Sequence, residues 1–303
     1  SISPSFRMGG SKGENIMLKR IKDGVRFCHF DSIADALAEP MPNKENAARF
    51  ARRYMTDQCA REAGGAEYWH GDPDIKTGAD AMEVFKKGWP KGLARADKEL
   101  GHIELPRLPS VKRKRKRRDF GDELDIHRTY RGDHDKAWST TERRRVPASA
   151  GGRVTLFLNY GIMSGESAEQ LFWRGALAAK LVDALEATGR RVQIVIHNTI
   201  RQCVYNADES RFVHSITVKQ YGGSMTIDKV IAVTGCAAFF RVVGFKLMLS
   251  HKEKGTSGLG SRDTEIEPIA PCGDNDVKIH ITERVTDPAS MREELDRVIA
   301  PFK

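Results

Sequence analysis

The chain has 303 residues, 40% of them apolar, and 50 Lys and Arg against 41 Asp and Glu give a formal charge of +9. That apolar share supplies a core and excludes a wholly disordered chain. Five well-separated cysteines without a CxxC pair argue against a disulfide framework or zinc knuckle, and no apolar run is long enough to span a membrane. The expected setting is soluble and cytoplasmic, with no membrane partner and no secretory signal in the first residues.

In chain order, Val25 to Phe30 reads as a short strand, and Asp31 or Ser32 as the N-cap of a helix with Ile33, Ala36 and Leu37 on its apolar side. A second helix through Ala47, Phe50, Ala51 and Tyr54 carries Arg49, Arg52 and Arg53 outward, where a solvated face accounts for them. Thr77 through Asp80 open a third helix, which stops at Gly88 before Trp89 and Pro90. Trp69 and Trp89 read as packing residues of helix-loop units rather than platforms for bases.

After residue 103 the composition shifts. Seven consecutive basic residues, Lys112, Arg113, Lys114, Arg115, Lys116, Arg117 and Arg118, are followed closely by Asp119, Asp122, Glu123 and Asp125. Between Arg107 and Arg145 there are 14 Lys and Arg against 7 Asp and Glu, so this stretch carries most of the excess charge. A basic run of this density points to a polyanionic partner, because neutralising phosphates releases condensed counterions.

The C-terminal half is more regular. Strands are expected at 153–159, 192–197, in the 211–218 stretch and at 277–281. A long helix ending at Gly189 joins the first two strands, in a right-handed βαβ unit. Two helices meeting at Gly235 follow the third strand, and a last helix starts at Asp287-Pro288.

The loop Asn159-Tyr160-Gly161-Ile162-Met163-Ser164-Gly165-Glu166-Ser167 leaves the first of these strands, where an open α/β sheet places its ligand crevice. It lacks both phosphate-loop glycine patterns, and a capped strand-to-helix turn accounts for it. Its position resembles the metal site of von Willebrand factor A domains, but Asn159, Gly161 and Met163 stand where Asp-x-Ser-x-Ser is needed. Without the carboxylate a hard cation loses its strongest ligand. No catalytic residue, metal ligand or cofactor is assigned.

Phe30-Asp31-Ser32, Gly88-Trp89-Pro90-Lys91-Gly92, the segment Gly121 to Gly132 and Arg174-Gly175-Ala176 occur in an order that resembles an uncharacterised domain-of-unknown-function family of tailed bacteriophages and bacterial mobile elements. The resemblance spans roughly residues 25–250 and implies no catalytic residues. It implies that the acidic segment after Arg118 belongs to the fold, while Lys112 to Arg118 extend from it.

The expected architecture is α/β: a doubly wound, open, von Willebrand A-like sheet over 151–303, with a smaller, mainly helical region at 25–105. Residues 1–24 are expected to be a flexible segment and 106–150 a basic arm and connector. The expected function is non-enzymatic and nucleic-acid-associated, in a bacterial host cell or with the virion. Lys112 to Arg118, with Arg143, Arg144 and Arg145, would bind DNA or RNA phosphates without sequence preference. The alternative is a structural or adaptor protein whose sheet docks a protein partner or further copies of itself.

Overall fold

The computed structural model describes residues 17–22, 25–41, 43–100, 114–119, 123–142, 152–162, 166–202, 210–251, 261–262, 272–273, 276–282 and 284–300. Met17–Lys22 (β1) pairs antiparallel with Val25–Phe30 (β2). The Ser32 hydroxyl accepts the Asp35 amide at 3.1 Å and starts Ile33–Ala38 (α1), and Asn43 caps Lys44–Arg53 (α2) in the same way. Two short helices follow, Gln58–Glu62 (α3) and Ala66–His70 (α4). A reciprocal capping box between Thr77 and Asp80 opens Gly78–Lys87 (α5), and Pro90–Leu100 (α6) comes next.

Lys114–Arg118 (β3), Glu123–Leu124 (β4) and Trp138–Glu142 (β5) form a separate antiparallel sheet in the order β3-β5-β4, with Ile126–Tyr130 (α7) between β4 and β5. Arg153–Asn159 (β6), Ala168–Ala187 (α8) and Arg191–Gln202 (β7) make the βαβ unit. Ser210–Lys219 (β8) returns antiparallel to β7. Ile227–Thr234 (α9), Ala237–Phe239 (α10), a π turn at Phe240–Gly244 and Phe245–Ser250 (α11) follow, then Ser261–Arg262 (β9), Val277–Ile281 (β10) and Pro288–Ile299 (α12).

The large sheet runs β1-β2-β8-β7-β6-β10, with β9 against the end of β7. It is mixed: β2 with β8, β7 with β6 and β6 with β10 are parallel, and the remaining pairs are antiparallel. Phe30, Leu156, Leu158, Ile194, Ile196, Phe212, Ile216 and Ile279 share one face and join a single core with the helices. On the opposite face Val25, Phe27 and Val213 form a small apolar cluster beside buried polar residues. There His29 is bridged through Nδ1 to the Ser215 hydroxyl at 2.8 Å and through Nε2 to the Thr217 hydroxyl at 3.2 Å.

Three features differ from the sequence expectation. Residues 17–22, placed in the flexible segment, form the edge strand β1; the ladder to β2 defines it, since MLKRIK has no strand-like alternation. The 25–105 region is not a separate unit, because β2 lies beside β8 and its helices share the C-terminal core. The Asn46 side chain donates to the Leu249 carbonyl at 3.1 Å, and the Trp89 amide to the Asp228 carbonyl at 3.0 Å. Third, the described helices cover one face of the sheet, whereas double winding needs helices on both.

α8 meets the end of α9 at Gly175 and Gly235, where a Cβ on Gly175 would overlap the Gly235 backbone. The Gly175→Ala variant gains helix propensity but overpacks this joint, with an expected net loss of about 2 kcal/mol. Urea unfolding checks this, and an unchanged midpoint would refute the joint.

Candidate nucleic-acid interface

Seven like charges in a row oppose pairing, so the strand at Lys114–Arg118 depends on its neighbour. β5 supplies it: Lys114 pairs with Glu142, Lys116 with Thr140, Arg117 with Ser139 and Arg118 with Trp138. Trp138-Ser139-Thr140-Thr141 is an aromatic and β-branched run that suits a central strand. The basic strand therefore lies at an edge, where charge also discourages unwanted strand addition. Arg117 and Arg118 are exposed.

The acidic segment is built into the same unit. Asp125 caps α7 through the Arg128 amide at 3.3 Å, and its own amide donates to the Ala137 carbonyl at 2.7 Å. The Arg128 guanidinium lies 3.6 Å from the Asp125 carboxylate and 2.6 Å from that of Asp133. These acids are committed locally rather than to the basic strand. Among the described residues, no ion pair involves Arg117 or Lys136. A cleft of about 420 Å³ is lined by Arg117, Leu124, Asp125, Lys136, Trp138 and their neighbours.

This small sheet has little core. Ala137 is its one buried side chain among the described residues. Leu124 is 40% exposed, Ile126 58% and Tyr130 88%, which makes them three of the four large exposed apolar side chains described in the chain. Of the sequence-predicted contact residues, Lys114 to Arg118 are brought together on one strand. Lys112, Arg113, Arg143, Arg144 and Arg145 lie outside the described residues. Sequence reasoning missed Lys136, Trp138 and Tyr130, which read as part of a polar connector; the one available signal was Trp138 heading a β-prone run.

The crevice at the end of β6 is occupied by the protein itself. Arg174, almost fully buried, donates through one terminal nitrogen to the carbonyls of Asn159 at 3.0 Å and Gly161 at 3.4 Å. Its positive charge stands against the loop, and the Asn159 side chain accepts the Gly161 amide at 2.8 Å. Among the described residues no group of three His, Cys, Asp or Glu side chains converges as a metal site. No single helix among them is long and apolar enough to cross a membrane.

The motifs that carry the resemblance noted in the sequence punctuate the fold. Gly88, at φ +100, lies against Asp228, where a Cβ would clash. Trp89 is buried and donates from its indole to Asp72 at 2.8 Å, Pro90 starts α6, and Gly92 leaves room for the Trp89 ring. Trp69 packs under Arg241, whose guanidinium carbon is 4.0 Å from the ring centre.

A model of a family described as a domain of unknown function, DUF7192, matches residues 17–293. Comparison with curated proteins and with solved structures gives no match.

Proposed function

The chain belongs to the DUF7192 family, and we propose, from its charge and geometry, that it is a non-enzymatic nucleic-acid-associated protein that grips phosphates without reading sequence. The observation that carries this reading is the basic strand Lys114–Arg118, held in extended form opposite β5 with Arg117 and Arg118 exposed. Alternate positions on a strand recur about every 6.7 Å, which spaces cations along a backbone of phosphates. Arg forks onto phosphate oxygens, and Lys adds point charge. Arg143 to Arg145 follow β5 directly in the chain and extend the same charge.

A second reading, an adaptor that docks a protein or its own copies, is favoured by the exposed Leu124, Ile126 and Tyr130. Light scattering with ultraviolet absorbance, before and after nuclease and high salt, separates the two. The nucleic-acid reading predicts copurifying nucleic acid that high salt removes. A discrete oligomer that survives nuclease, with no nucleic-acid absorbance, would favour the adaptor.

The von Willebrand A-like relationship is part of the proposal. It is supported by the order β8-β7-β6-β10, in which β6, the earliest of these strands, is central and parallel to both neighbours. The described helices lie on one face, which counts against full double winding. The order of the Phe30-Asp31-Ser32, Gly88-to-Gly92 and Arg174-Gly175-Ala176 motifs supports a phage or mobile-element protein, acting in the host cytoplasm or with the virion.

A further inference from the structure

We infer that the β3-β5-β4 sheet holds single-stranded rather than duplex nucleic acid, with bases stacked on Tyr130 and Trp138 and phosphates on the basic strand. The inference rests on the nucleic-acid reading above and names its substrate class. Its first support is the cleft, about 420 Å³ in volume, which brings the Trp138 aromatic and the Leu124 apolar surface together with Arg117 and Lys136. That size is in the range of small-ligand clefts and suits one base with its sugar. Asp125, the acid in the lining, has its charge engaged by the α7 amide and by Arg128, so it opposes a phosphate less than a free carboxylate would.

The second support is Tyr130. An aromatic ring 88% exposed, at the end of a one-turn helix with no buried residue, is costly to leave in water and offers a flat face. Duplex bases hide their faces in the stack, whereas every unpaired base presents one, so aromatic platforms beside cations select single strands without selecting sequence. The sheet's own burial is slight, and the occupant must be anionic to suit 14 basic against 7 acidic residues between Arg107 and Arg145. An unpaired nucleic-acid strand supplies both missing components, apolar faces and negative charge.

The test is fluorescence anisotropy on the full chain at one salt concentration, with labelled oligothymidylate, oligouridylate and a mixed-sequence duplex of about 20 units each. Either single strand should bind at least about 10-fold more tightly than the duplex, and Tyr130→Ala should weaken single-strand binding about 10-fold while leaving duplex binding unchanged. Trp138→Leu, with circular dichroism to check the fold, should act in the same direction and lose the tryptophan quenching that stacking produces. Equal affinity for single strand and duplex, or single-strand binding unaffected by both variants, overturns the inference while the phosphate-binding reading stands. Absence of binding to all three probes overturns both. A doubled mass without oligonucleotide that Tyr130→Ala returns to monomer assigns the patch to a second copy of the chain and also overturns the inference.

Discussion

Acidification from pH 7 to pH 5 should remove about 6 kcal/mol of stability, because three buried histidines are held neutral. Burial pushes His29 and His70 down to about 4, with Arg241 adding to the effect on His70. Burial, then His251 and His197, pushes His214 down to about 3. All three side chains are buried in the folded protein, and His214 Nε2 and the Tyr160 hydroxyl share a 2.7 Å hydrogen bond. An unfolded histidine takes its proton near pH 6.5, so below that pH the unfolded chain binds more protons.

The contribution is therefore fully present above about pH 6.5 and is lost as pH falls toward the folded values. At pH 5 the loss amounts to about 2 kcal/mol for each histidine, against a total stability of about 5–15 kcal/mol for a typical domain. Asp31, 3.6 Å from His29, is raised by burial and by Asp35 and works in the opposite sense. Urea unfolding followed by circular dichroism should show a steep fall of the midpoint between pH 6.5 and pH 5. A midpoint that stays flat over this range would show that these imidazoles are not kept neutral by the fold.

Replacing Lys112 to Arg118 with glutamine should lower affinity for nucleic acid about a thousandfold at ~50 mM salt. Seven cations in seven successive residues of the sequence neutralise a comparable number of phosphates, and each contact removed forfeits its released counterion. Because β3 is an edge strand with Arg117 and Arg118 exposed, its loss of charge should leave the circular dichroism of the large sheet unchanged. Replacing Arg143 to Arg145 alone should cost less, about 10-fold, since three contacts are fewer than seven. Titration of a labelled oligonucleotide measures both, and an unchanged affinity in the seven-residue variant would remove the basic strand from the interface.

Much of the large sheet was legible because its signals are local. Val25–Phe30, Arg153–Asn159 and Val277–Ile281 have the expected bounds, since apolar runs end at turn residues. Thr77 and Asp287 cap helices as their neighbours require, and Gly235 divides α9 from α10. What a single sequence does not carry is pairing across distance. β1 and β3 are strands because β2 and β5 lie beside them, and β7 continues past His197 to Gln202 because β8 pairs with its polar Asn198 and Thr199.

The candidate interface was legible as charge and not as shape. Composition located Lys112 to Arg118, but their place beside an aromatic strand depends on a pairing between segments some twenty residues apart. Tyr130 gave no sequence signal, because exposure of a single tyrosine is decided by tertiary packing, and among the described residues nothing buries α7. Arg174 was noted for its motif, and its role in holding the loop after β6 emerged only from the burial of its guanidinium.

The most direct test of phosphate binding by the basic strand is the salt dependence of oligonucleotide affinity for the wild-type chain. Seven contacts from Lys112 to Arg118 and three from Arg143 to Arg145, at ~0.7 released ions each, predict a slope of about −7 in log K against log salt for a single strand, falling to about −2 in the seven-residue variant. A wild-type slope near zero, or the same slope in both proteins, would contradict it.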